Sequence, residues 1–185
     1  MTRADKDEAV TGQASRLIDT PADALWDLVS DITRTGQWSP ENTGGNWLDG
    51  AAGPAVGARF RGTNRRGRAR WSTTCEVVTA DRGREFAFVT GSAAKPQTLW
   101  RYRFEPAGTG TQVTESFELV KPPGPLARLV TRLTLGVRDR PADLEDNLRV
   151  SLANLQRLGS GRTVADALRG GAVGTTASGS DCRRQ

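Results

Sequence analysis

The chain has 185 residues, enough for one domain with flanking segments. Hydrophobic residues make up 36% and charged residues 25%, a globular balance, and the net charge is +5. Histidine is absent, which removes the commonest general base, the commonest zinc ligand, and the Ser–His–Asp and Cys–His forms of nucleophilic catalysis.

The positive residues are nearly all arginine; Lys6, Lys95 and Lys121 are the only lysines. With Ala and Gly also plentiful, this reads as the codon bias of a GC-rich genome, and nucleic acid is not an expected partner. Cys75 lies in a strand pattern and Cys182 near the C-terminus, so they form neither a disulfide framework nor a metal-ligand set. No metal or cofactor is expected. The polar start, MTRADKDEAVTGQAS, has no apolar h-region, and no stretch approaches the roughly 20 apolar residues of a membrane span. A cytoplasmic protein, monomeric or homodimeric, is the expectation.

In chain order, residues 1–12 read as a flexible tail and ASRLID as a first strand. In TPADALWDLVSD, Thr20 suits an N-cap, Pro21 the first turn and Asp23 the helix dipole. Leu25, Leu28, Val29 and Ile32 share one helical stripe. A second short helix is expected over about 31–36. QWSPENTGGNW reads as a loop. Six strand patterns follow: NWLDG, ARFRGTN, ARWSTTCEVVTA, REFAFVT, QTLWRYRFEP and TQVTESFELV, most of them separated by turn residues. After KPPGP, one helical face holds Leu126, Leu129, Val130, Leu133 and Val137. A second holds Leu144, Leu148, Leu152 and Leu155, with Pro141 as a break between the two and Gly159 as a C-cap. Residues 160–185 read as a disordered tail, leaving a domain over 13–159. The fold class is α+β. A curved antiparallel sheet of about seven strands wraps a long C-terminal helix, with two short helices after strand 1.

Alternation assigns the inward faces. Phe60, Gly62 and Asn64 oppose Arg59, Arg61 and Thr63. Trp71, Thr73, Cys75 and Val77 oppose Arg70, Ser72, Thr74 and Glu76. Phe86 and Phe88 come next, then Trp100, Tyr102 and Phe104 against Arg101 and Arg103. In TQVTESFELV, Val113, Glu115, Phe117 and Leu119 share a face, with a carboxylate at its centre. Such an aromatic set salted with polar groups suits a ligand cavity better than a packed core. The outer face is Arg-rich: Arg59, Arg61, Arg65, Arg66, Arg68, Arg70, Arg101 and Arg103.

The ordered set DTPADALWDLVSDI, QWSP, VGARFRGTNRRGRARWSTTCEV, REFAF and WRYRFEP…GTGTQVTESFEL resembles the SRPBCC superfamily, the START-related, pollen-allergen-like fold. It is most similar to the actinobacterial polyketide cyclase/dehydrase-like group, over about residues 13–158. The resemblance implies a helix-grip fold around a hydrophobic cavity and a lipid-, sterol- or polyketide-like ligand. The leading reading is therefore a binding or lipid-transport protein for a hydrophobic small molecule. Its site would hold Trp38, Phe60, Asn64, Trp71, Thr73, Cys75, Phe88, Trp100 and Phe117, with Trp38 and Pro40 at the mouth. Two alternatives remain: a polyketide cyclase/dehydratase or aromatase using Glu115 and Tyr102 as acid and base, and a protein-interaction module using the Arg-rich face. Glu115 is expected to line the cavity, hydrogen-bonded to Tyr102 or to water, with a raised pKa.

Overall fold

The computed structural model describes residues 10–120, 124, 133, 136–137 and 139–170. Seven strands form one sheet in the order β1-β7-β6-β5-β4-β3-β2, every neighbouring pair antiparallel. They are β1 (Val10–Ile18), β2 (Asn42–Trp47), β3 (Arg59–Arg66), β4 (Ala69–Asp81), β5 (Glu85–Ser92), β6 (Lys95–Ala107) and β7 (Gly110–Leu119). Strands β2 to β7 pair as a meander, and β1 returns to the far edge beside β7. Helix α1 (Ala22–Ser30) and a 3-10 helix (Ile32–Gln37) link β1 to β2, and helix α2 (Arg140–Gly170) follows the sheet.

The sheet curls into a half-barrel with α2 in its grip, the expected helix-grip arrangement. Register shifts at Asn42/Gly44, Val77/Thr79 and Thr90/Gly91 help it bend, because an extra residue on one strand increases the local twist. The apolar interior falls into two clusters. One gathers Ile18, Leu25, Leu28, Ile32, Phe60 and Val77 with Leu152 and Leu155 of α2. The other is Phe117 with Leu144 and Leu148.

Several local expectations are corrected. Thr20 does not cap α1: its hydroxyl bonds Asp19 O at 2.8 Å, and the cap position belongs to Pro21 without a side-chain bond. β1 starts at Val10, inside the segment read as a tail, because its whole length pairs with β7 from Val10↔Leu119 to Ile18↔Thr111. β2 occupies the NTGGNW read as loop: Gly44 and Gly45 carry no strand signal, yet they ladder onto Thr63 and Gly62. Pro141 is the second residue of α2, where its missing N–H has no helical partner to lose. Gly159 is no C-cap, since α2 runs on through it to Gly170, well into the segment read as a tail. The helical stripe of Leu126, Leu129 and Val130, and the tail beyond 170, lie outside the described residues.

Candidate functional site

Between the sheet and α2 lies a cavity of about 750 Å³, within the roughly 300–1,000 Å³ range of small-molecule sites. Its walls come from the inward faces of β3 to β7, the segment after the 3-10 helix, and the start of α2. Phe60, Asn64, Trp71, Thr73, Cys75, Phe88, Trp100, Tyr102 and Glu115 all line it. Their neighbourhood follows from register: Cys75 pairs with Phe60, Trp71 with Asn64, and Trp100 with Phe88. Gly62, opposite Thr73, adds no side chain to this wall and so widens it.

Two residues stand elsewhere than expected. Phe117 is buried behind the wall, its ring 5.7 Å from that of Trp100 and packed with Leu144 and Leu148; it supports the lining without forming it. Trp38 is not at a rim. It is 1% exposed and lines the cavity from within, while Pro40 is exposed and takes no part in the lining. Trp38 is held at both backbone ends. Its N–H donates to Thr35 O at 3.2 Å, and Asn154 Nδ2 of α2 donates to its carbonyl at 2.8 Å.

Glu115 sits opposite Tyr102 across β6–β7 and opposite Ala14 across β1–β7. It is 3% exposed, and the Tyr102 hydroxyl donates to its Oε1 at 2.6 Å. Glu115 Oε2 and Trp38 Nε1 are both buried and have no hydrogen-bond partner. Burial disfavours the carboxylate and outweighs the Tyr102 hydrogen bond, so the Glu115 pKa is raised to about 8. The Tyr102 phenol is pushed well above its ordinary value by burial, then by the charge and hydrogen bond of Glu115. The Trp38 indole beside its oxygen opposes this. At neutral pH the pair is a carboxylic acid next to a phenol, both uncharged. Burial also pushes the Cys75 thiol up to about 12, so no thiolate nucleophile is available there.

A second polar group was missed by sequence reasoning. Where α2 begins, Glu41 accepts from both nitrogens of Arg140 at 2.7 and 2.6 Å, and from Arg66 at 2.6 Å. Asp143 takes Arg66 at 2.7 and 2.5 Å and Arg140 at 2.5 Å. Glu41 and Arg140 line this end of the cavity. Arg66, assigned to the outer face, in fact turns toward α2. Its position is in phase with Phe60 and Asn64, and that periodicity was the available signal. Burial alone would raise the Glu41 carboxyl, but hydrogen bonds and charge from Arg140 and Arg66 outweigh it and hold the pKa below the ordinary value. The stabilisation is therefore present above the unfolded carboxylate range and lost as pH falls through the folded value. Arg140→Gln should cost on the order of 1–2 kcal/mol, between exposed and buried pairs. Denaturant melts of variant and wild type at pH 7 and pH 3 would check this: the difference should shrink at the lower pH.

The outer arginines are in part paired on the surface: Arg59 with Asp49, Arg82 with Asp27, and Arg101 and Arg103 with Glu85. Among the described residues there is no group of acidic, Cys or His side chains able to hold a metal, and no helix long and apolar enough to cross a membrane.

Residues 9–158 match the family model described as polyketide cyclase / dehydrase and lipid transport. No curated protein matches the chain. Among solved structures, DR_A0006 from Deinococcus radiodurans is similar at 18% identity and a TM-score of 0.57, covering 82% of this chain and 98% of its own. TTHA0849 from Thermus thermophilus is similar at 16% identity and a TM-score of 0.58, covering 85% and 99%. DynU16, described as a putative protein in the dynemicin biosynthetic locus, gives 17% and 0.52, covering 80% of this chain and 46% of its own. At these identities the likeness speaks for the fold.

Proposed function

The chain belongs to the polyketide cyclase/dehydrase and lipid transport family, and from that premise we propose that it binds a hydrophobic small molecule inside the half-barrel. The observation that carries this reading is the cavity of about 750 Å³ walled by Phe60, Phe88, Trp71 and Trp100, with isolated polar groups among them. Apolar walls supply the affinity and a few placed polar atoms fix orientation. Binding driven this way is insensitive to salt, unlike binding to the Arg-rich outer face.

The test is titration with an environment-sensitive apolar fluorophore, alongside native mass spectrometry of the freshly purified protein. Saturable binding that survives molar salt is the expected result. If no apolar probe binds the native protein, the cavity is not a ligand site.

The Glu115–Tyr102 pair favours a second reading, acid–base chemistry on a polyketide-like ligand. A carboxyl with a pKa of about 8 can donate a proton at neutral pH. Tyr102 would steady its conjugate base, and the cavity walls would fold the ligand for aldol cyclisation or dehydration. Turnover of a synthetic polyketone, lost in Glu115→Gln with binding retained, would establish the enzyme. Binding without turnover leaves a carrier.

A further inference from the structure

Beside the cavity, a second pocket of about 380 Å³ opens at the surface, where the 3-10 helix meets β2 and the end of β3. Ser39 and Asn42 line both, so the two adjoin along that segment. Two arginines reach the pocket from different elements, Arg34 from the 3-10 helix and Arg65 from β3, and no acidic side chain lines it. Gly36 permits this close approach: a Cβ there would lie 2.8 Å from Thr43 O of β2. Among the described residues the Arg65 side chain has neither a hydrogen bond nor an ion pair. Arg34 donates to the neutral Gln37 Oε1 at 2.8 Å, which leaves the rest of its guanidinium fork open. The nearby carboxylates are committed elsewhere, Asp31 to Thr33 N–H and Oγ1–H, and Glu41 to Arg66 and Arg140. Arg65 also stands directly opposite Arg70 across β3–β4, and like charges so placed destabilise a sheet. Elsewhere on the outer face arginines meet carboxylates, as Arg59 does Asp49, and Arg101 and Arg103 do Glu85. At this corner no carboxylate among the described residues answers them.

We propose that Arg34 and Arg65 form an anion site that takes a phosphate group, carried by a lipid headgroup or by a small soluble phosphate ester. A tetrahedral phosphate presents oxygens in several directions and can meet two guanidinium forks at once, where a planar carboxylate meets one. Neutral donors stand beside the two forks. With Oε1 accepting from Arg34, the Gln37 amide nitrogen has its protons to give. The Ser39 hydroxyl accepts from Asn42 N–H at 3.1 Å and keeps its own proton. A bound dianion also offsets the repulsion between Arg65 and Arg70. The site lies outside the cavity and does not rest on the apolar-ligand reading. Binding here is electrostatic and weakens as salt is added.

The experiment follows the arginine Nε–Hε resonances of the full chain by NMR at low ionic strength, during titration with glycerol 3-phosphate. Arg34→Gln and Arg65→Gln assign the two signals. Both signals should move together and saturate while those of Arg101 and Arg103 stay, and each variant should weaken the affinity about tenfold. The second arm is sedimentation with phosphatidylcholine vesicles, with and without phosphatidic acid. Capture by the phosphatidic acid vesicles alone, reduced in either variant, assigns the site to a lipid headgroup. Saturation by the soluble ester without capture by vesicles assigns it to a soluble ligand. If neither ligand binds, there is no phosphate site. If Arg101→Gln weakens binding as much as Arg65→Gln does, the phosphate answers only the net positive charge of the chain, and the site is overturned as well.

Discussion

Glu115→Gln should raise the melting temperature at pH 7 and remove a pH dependence from the wild-type protein. The Glu115 carboxyl has a folded pKa of about 8 against an ordinary value of 4.5. Between those values the unfolded chain releases a proton that the folded chain retains. The folded state therefore loses stability as pH rises from the unfolded value through the folded one, and changes no further above it. At about 1.36 kcal/mol per pKa unit the whole loss is on the order of 5 kcal/mol, with about 3 kcal/mol already incurred at pH 7. Glutamine keeps the shape and an acceptor for the Tyr102 hydroxyl, and it has no charge to bury. At about 2–4 °C per kcal/mol for a chain of this length, the variant should melt roughly 6–12 °C higher at pH 7. The gap should close near pH 4.5. Melts followed by circular dichroism from pH 4.5 to 9 would show it. Parallel profiles for the two proteins would mean that Glu115 is hydrated and ionised in the folded state.

That carboxylate was visible in the sequence because β7 alternates strictly, so one glutamate in an apolar phase stands out. The same periodicity exposed the inward faces of β3 to β6, where side chains within a few residues settle the assignment. It fails where the deciding partner is remote. Trp38 sits in a short turn after a 3-10 helix, and its depth depends on Asn154, 116 residues away. Glu41 and Arg140 meet across 99 residues, and neither belongs to an apolar pattern that would mark it. β2 was hidden for a different reason. Its Gly–Gly pair has no side chains to alternate, and the strand exists because β3 offers it a ladder. Phe117 illustrates a limit of the alternation itself. Being on the inward face does not decide between lining a cavity and backing a residue that does, and α2 makes that choice by covering it with Leu144 and Leu148.

Gly159→Leu should be among the most damaging single changes in α2. Seen in the sequence alone, glycine at this point ends a helix. In the fold it is buried within one, and a Cβ there would lie 2.6 Å from Thr20 Oγ1 and 3.4 Å from Ile18 Cγ2. This is where α2 lies against the end of β1, with Leu152 and Leu155 in the adjoining core. A larger side chain must push the helix off β1 or force Thr20 to break its bond to Asp19 O. Overpacking of this kind costs about 1–3 kcal/mol, and a leucine against the packed side chains of Thr20 and Ile18 belongs at the upper end. The gain in helix propensity on losing glycine returns only about 1 kcal/mol. A net loss of about 2 kcal/mol, or roughly 4–8 °C, follows. A milder pair of variants separates the clash from the propensity. Gly159→Ala should destabilise the wild-type chain, yet stabilise the Thr20→Ala variant, where the obstructing hydroxyl is gone. The two sites then couple through a single contact, which a double-mutant cycle reads directly. If Gly159→Ala has the same effect in both backgrounds, helix and strand are not in contact at Thr20, and the grip on α2 must be held by its leucines alone.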